Sequence, residues 1–125
     1  MPVSKGLSFA GFPVVGLQLT HDATSFAPDS AATATEMAAG HKTTSGTVNY
    51  LPDGETPLKT IAGYAGQAGM KIGVATSVSL DHAEPAAQYA RASHSSDYYD
   101  IALQGLANGL HYPELRPDGR PRTLP

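Results

Sequence analysis

An α/β fold with a parallel sheet in a three-layer arrangement is predicted for this 125-residue chain from three observations. Residues 58–68 repeat apolar side chains at helical spacing: Leu58, Ile61, Ala62, Ala65 and Ala68. Gly69 ends that helix, and residues 71–78 (KIGVATSV) follow as a compact apolar strand. Helix, one-turn break and strand make half of a βαβ unit. A second β-branched run, residues 12–20 (FPVVGLQLT), reads as another strand. Ile72, Val74 and Val78 are expected in the core, with helix 58–68 packed on the sheet. A parallel sheet needs cover on both faces, so exposed apolar surface is expected wherever that cover is lacking.

Taken in order, residues 1–10 are an irregular lead-in, and strand 12–20 runs into a polar connection. Pro28 disfavours helix in the residue before it. From Ser30 the composition shifts to AATATEMAA, and Gly40 closes a short helix as its C′ residue. Residues 43–56 read as turns around a brief extended piece, 48–51, which ends at Pro52-Asp53-Gly54. Thr56-Pro57 supplies a cap and first turn for helix 58–68. After strand 71–78 comes a polar loop, 79–84. Pro85 then opens one helix, and Ser96 caps a second with Tyr98, Ile101, Ala102 and Leu106 on one face. Tyr98-Tyr99 reads as core and surface of that helix. The division is 1–112 as a partial domain and 113–125 as a Pro/Arg-rich tail without periodicity.

Composition excludes several classes of function. With no Cys there is no disulfide framework, thiolate metal site or Cys nucleophile. A net charge of -3 predicts no nucleic-acid partner and no anionic membrane surface. No apolar run approaches the ~20 residues of a membrane span. Residues 1–10 hold one Lys and no long apolar stretch, so no signal peptide is expected. Gly40-His41-Lys42-Thr43 lacks the upstream glycine of a P-loop. Gly63, Gly66 and Gly69 have the wrong spacing for a dinucleotide loop.

Two constellations are left for chemistry. Asp29-Ser30-Ala31-Ala32 places a hydroxyl at a helix start, where free N–H groups and the helix dipole attract anions such as phosphate. With a metal to lower its pKa, that hydroxyl becomes a nucleophile. Taken alone, Ser at such a position is ordinarily just an N-cap. The second is Asp81-His82-Ala83-Glu84-Pro85, just past the carboxyl end of strand 71–78, where open α/β sheets bind ligands. His82 and Glu84, with Asp81 as a third, offer N and O donors to Zn²⁺ or Mg²⁺. The plain alternative is helix capping with a solvated His. A zinc deaminase would need a P-C-x-x-C partner, and there is no Cys.

In order and spacing these residues resemble the metal-dependent alkaline phosphatases over residues 12–112. FPVVGLQLTHDATSFAPDSAATATEMAAGHKTTSG is similar to the nucleophile region, T-D-S-A-A-x-x-T with a following G-x-K-T. PLKTIAGYAGQAGMKIGVATSVSLDHAEPAAQYA is similar to the region leading into H-A-T-P-A-A. SSDYYDIALQGLANGLHY is similar to the helix after it. The resemblance implies phosphomonoester hydrolysis through a phosphoserine on Ser30, with Asp29 orienting a phosphate-binding arginine. It implies two Zn²⁺ at the reacting oxygens and Mg²⁺ nearby, His82 and Glu84 falling on positions that serve the third metal. It further implies a phosphomonoester substrate, a homodimer and an exported family.

The sequence departs from the pattern at three points. Ala27 stands where the family has Ile or Val, and Glu84 where it has Thr or Ser. The phosphate-clamping arginine of the family falls on Ser95. Arg91, four residues or about one helical turn (~5.4 Å) earlier, is the candidate to support the phosphate in its place, without a secured bidentate clamp. His21, His41, His94 and His111 lie off the motif. The family's I-G-D-G-M-G strand and its downstream Asp/His ligands are not among these residues. The reading is therefore an internal portion of a phosphatase, inactive alone. The alternative is a non-catalytic, degenerate or partner-dependent α/β module that binds phosphate or a cation.

Overall fold

A computed structural model describes residue 6 and residues 11–108. The tail 113–125 lies outside the described residues. Four helices follow in order: α1 (Ser30–Ala39), α2 (Ile61–Gln67), α3 (Ala83–Ala86) and α4 (Tyr98–Ala107). No strand forms among the described residues. Two isolated antiparallel bridges, Val48 with Ala92 and Tyr50 with Pro57, are what remains of sheet pairing.

The expected parallel strands are thus corrected. Residues 12–20 and 71–78 have no regular structure among the described residues. Ile72 is 41% and Val78 47% exposed, and Val74 is half-buried, so none of the three is core. The physical reason is partnership: a strand is held by a neighbouring ladder, and neither run has one here. Phe12, Val14, Val15, Leu17 and Leu19 stand exposed instead, on irregular chain and not on the face of a sheet.

The core is small-residue packing of helices. Ala31, Ala34 and Ala38 of α1 meet Ala83 and Ala86 of α3 with Ala87 and Ala90 after it; Val48, Ala92 and Ile101 complete the cluster. Asp29, rather than Ser30, caps α1: its Oδ1 accepts the Ala32 N–H at 2.9 Å. Gly40 closes α1 at φ 74, where a Cβ is strained, and donates its N–H to Glu36. Lys42 braces the incoming segment: Nζ reaches the carbonyls of Leu19 (2.6 Å) and His21, and Glu36 Oε2 (2.7 Å). The turn at Pro52-Asp53-Gly54 forms as its sequence predicts, with Asp53 Oδ1 accepting from the backbone of Glu55 and Thr56.

α2 starts later than its periodicity predicts. Leu58 N–H bonds to the Asn49 carbonyl at 2.8 Å, keeping residues 57–59 out of the helix, and Thr60 caps it instead through the Gly63 N–H. No residue of α2 is buried, because no sheet forms among the described residues for it to cover. In α4 the cap position is Asp97, not Ser96, and no side chain caps it. Ile101 is fully buried, whereas Tyr98 and Tyr99 are both exposed.

Candidate functional site

α1 presents Ser30 as its first residue, exposed to solvent. Asp29 uses both carboxylate oxygens to hold this end: Oδ1 on Ala32 N–H and Oδ2 on Gly46 N–H at 2.7 Å. Thr33 closes the turn on the Asp29 carbonyl with its N–H and its hydroxyl. The first-turn N–H groups of a helix, here Ser30 and Ala31, find no partner within it.

Ser30 and Glu84 line one cleft of about 460 Å³, with Pro28, Asp29, Thr33, Ala34, Met37 and Gln88. Packing of α1 on α3 brings them together from sequence positions far apart. His82 and Asp81 do not join them. The His82 ring packs against Tyr98 at 5.8 Å between centroids, and Asp81 accepts the Ser79 hydroxyl. Arg91 also stays outside this cleft. Its Nε donates to the Leu58 carbonyl at 3.2 Å and its side chain lines other hollows, beside α2 and α4. Ser95, where the motif alignment puts the arginine, donates its N–H to the Gly46 carbonyl at 2.7 Å. Ser95 is thus linked to Asp29 through the backbone of Gly46.

Among the described residues no three His, Cys, Asp or Glu side chains converge as a metal site. A catalytic zinc takes three protein ligands and an open position. Asp81, His82 and Glu84 do not supply them, since each points to a different neighbourhood. The expected Zn²⁺ and Mg²⁺ sites are therefore not formed by these residues alone.

Charge in this half of the molecule is managed elsewhere. Asp22 accepts from the Ser45 hydroxyl (2.6 Å) and from the backbone N–H of Thr24 and Ser25. Those bonds, led by Ser45, hold its pKa down from 3.8 to about 2. Gln88, which lines the cleft, and Gly46, which donates to Asp29, are residues that the sequence did not single out. Gln88, four residues after Glu84 and in the turn beyond α3, offered only its spacing as a signal. Gly46, in a Thr-Thr-Ser-Gly turn, carried none.

The profile of the alkaline phosphatase family matches residues 3–113. The chain belongs to the alkaline phosphatase family. The human tissue-nonspecific alkaline phosphatase is 33% identical over 109 residues, covering 78% of this chain and 21% of its own. Alkaline phosphatase 4 of Drosophila melanogaster is 33% identical over 111 residues, covering 84% of this chain and 19% of its own. The chain thus spans about a fifth of the length of these curated relatives. Among solved structures, the alkaline phosphatase of the Antarctic bacterium TAB5 superposes with a TM-score of 0.72 at 29% identity, over 85% of this chain and 33% of that one. The Thermus thermophilus alkaline phosphatase gives 0.72 at 29%, over 85% and 24%. A histidine-to-aspartate variant of the TAB5 enzyme, solved with Mg bound in its M3 site, gives 0.77 at 26% identity, over 95% and 37%. The α/β class predicted from sequence is that of these neighbours, although this chain forms no sheet among its described residues.

Proposed function

We propose that this chain carries the phosphoryl-accepting portion of an alkaline phosphatase, with Ser30 as the nucleophile of phosphomonoester hydrolysis. The supporting observation is placement: an exposed Ser30 on the first turn of α1, fixed by Asp29, opening onto the cleft that Glu84 lines. Ser30 Oγ attacks phosphorus and the ester alcohol leaves with the proton. Water then attacks the phosphoserine, returning Ser30 and releasing inorganic phosphate. The N–H groups of Ser30 and Ala31 and the dipole of α1 receive the phosphoryl oxygens. Asp29 fixes the helix end that presents them.

Zn²⁺ and Mg²⁺, which family membership implies, would supply charge stabilisation and an activated water. His82, Glu84 and Asp81 are the residues assigned to metal, and Arg91 and Asp29 to support of the phosphate. As arranged here they do not complete either task, so turnover by this chain alone is negligible and cation binding weak. Missing charge stabilisation removes several kcal/mol from catalysis, and each ~1.4 kcal/mol is tenfold in rate. The same two absences, of converging ligands and of Arg91 from the cleft, favour a second reading. In it the chain is a non-catalytic phosphate- or cation-binding module, partner-dependent for anything more. A homodimer, implied by the family, belongs to the first reading.

The test is titration of the chain with inorganic phosphate, followed by backbone amide shifts, beside a phosphomonoesterase assay with Zn²⁺ and Mg²⁺. Expected are shifts at Ser30 and Ala31 and no sustained turnover. Shifts confined to other segments would remove Ser30 from the site. Robust Zn²⁺-dependent hydrolysis lost in Ser30→Ala would show a complete ligand set and overturn the claim of inactivity.

A further inference from the structure

Asn49 lies outside the Ser30 cleft but is bonded to the segments that shape it. It is 1% exposed and sits at φ 55, in the left-handed region that Asn tolerates better than most residues. Its N–H donates to Thr35 Oγ1 of α1 at 3.0 Å, and that hydroxyl donates on to the Thr47 carbonyl at 3.3 Å. Its Nδ2 donates to the carbonyls of Ala87 and Ala90, both at 2.7 Å, just past the end of α3. Both carbonyls lie beyond the last residue of α3, in the chain that follows it. Two carbonyl oxygens fix the amide orientation, since Oδ1 in that place would repel both.

The seam between α1 and α3 is lined by alanine methyls: Ala31, Ala34 and Ala38 against Ala83, Ala86 and Ala87. Such a seam is apolar but shallow. It lacks the large ridges and grooves that lock one helix against another. Hydrogen bonds are directional where methyl contacts are not. Asn49 is bonded to both sides of this seam, by its backbone to α1 and by its side chain to the end of α3.

We propose that Asn49 is the positioning residue that sets the spacing of α1 and α3, and hence the opening between Ser30 and Glu84. The functional weight of that opening rests on the reading of Ser30 given above. Asn49 touches no reacting group and acts only through the two helices.

Asn49→Gly separates the clamp from the backbone. Glycine keeps the left-handed conformation and the backbone bonds to Thr35 and Leu58, and deletes only the two side-chain bonds. The chain has no Cys, so Met37→Cys and Gln88→Cys install a single pair of spin labels, one on each wall of the cleft. The unsubstituted Asn49 background is expected to give one narrow distance distribution. Asn49→Gly is expected to broaden it and shift it outward while far-UV circular dichroism keeps its helical signal. Asn49→Asp, equal in size but without an N–H when ionised, is expected to broaden it likewise at neutral pH. A distribution unchanged in a folded Asn49→Gly chain overturns the proposal. Loss of the helical signal in Asn49→Gly overturns it too, because Asn49 would then be a determinant of folding with no separable effect on the cleft. The phosphate titration at Ser30 does not depend on these distances, so either reading can fail alone.

Discussion

Asp29 ties Gly46 to the start of α1, its Oδ2 accepting the Gly46 N–H at 2.7 Å while Oδ1 accepts that of Ala32 at 2.9 Å. The Gly46 carbonyl accepts in turn from Ser95 N–H at 2.7 Å. Three segments far apart in sequence therefore meet where Ser30 is presented. One carboxylate does two jobs here, as helix cap and as loop anchor.

Asp29→Ala removes both. Loss of an N-cap costs about 0.5–2 kcal/mol, and a half-buried Gly46 donor left unpaired adds about 1 kcal/mol or more. Urea unfolding is expected to show a loss of about 2–3 kcal/mol. Asp29→Asn, whose amide has one acceptor oxygen for two donors, is expected to lose about half of that. A loss in Asp29→Ala no larger than that of an ordinary surface substitution would show that Gly46 is anchored by other means.

Acid stability is expected to track Asp22. Its pKa is lowered from 3.8 to about 2 by the Ser45 hydroxyl first and the Thr24 and Ser25 N–H groups after it. A carboxyl with a depressed folded-state pKa binds protons more readily when unfolded. Its contribution is thus complete above pH 4 and drains away as pH falls from about 4 to about 2. Asp53, lowered by Thr56 and the backbone of Glu55, acts in the same direction. Asp22→Asn should flatten the acid limb of a stability-against-pH curve in that window, and Ser45→Ala should move its midpoint upward. An identical acid limb in Asp22→Asn would assign the effect elsewhere.

α1, α2 and α4 could be read in the sequence, whereas the helix expected to open at Pro85 is instead the short α3, Ala83–Ala86, and the expected sheet does not form among the described residues. α1 was written in Asp29-Ser30 at one end and Gly40 at the other, both local signals. Helix α4 was expected from Tyr98, Ile101, Ala102 and Leu106 on one face; the helix forms, with Ile101 fully buried but Tyr98 and Leu106 exposed. Residues 12–20 and 71–78 have the composition of strands, but strand formation is decided by a neighbour that composition does not provide. The same division holds for the site. Ser30 and Glu84 share a cleft because alanines pack α1 on α3, a helix-on-helix contact that the sequence did not announce. The departure of His82 toward Tyr98 and of Arg91 toward the Leu58 carbonyl depends on tertiary neighbours 16 and 33 positions away. Asn49 was illegible because a buried Asn at positive φ looks in sequence like any turn residue.

Ile101→Ala is expected to be the most damaging single truncation. Ile101 is the largest fully buried apolar side chain in a core otherwise made mostly of alanine. Ile to Ala in a core costs about 2–5 kcal/mol, and small neighbours offer few atoms that can collapse into the hole. Thermal unfolding followed by circular dichroism should show loss of the cooperative transition, or a midpoint lowered by more than in Leu106→Ala, whose side chain is exposed. Equal effects at the two positions would mean that α4 is not anchored through Ile101.

The exposed run at residues 12–20 carries the last expectation. Val15, Leu17 and Leu19 alternate with Gly16, Gln18 and Thr20, the pattern of a strand with one apolar face. None of the three is covered, and among the described residues the run makes no ladder. An unpaired segment with this strand-like pattern offers both backbone groups and an apolar face to another copy. The chain is therefore expected to self-associate with rising concentration in sedimentation experiments. A charge placed on an exposed edge suppresses such pairing. Leu17→Lys is expected to raise the monomer fraction and leave helical content unchanged, since Leu17 contributes nothing to the core. Lys42, which grips this run at the Leu19 and His21 carbonyls, should have the opposite influence when removed. Lys42→Met frees the segment and leaves Glu36, whose side chain is 7% exposed, without its ion-pair partner. It should therefore both destabilise the fold and increase association. A monomer fraction insensitive to Leu17→Lys would mean that association, if seen, runs through another surface, with Ile72 and Val78 the next to test.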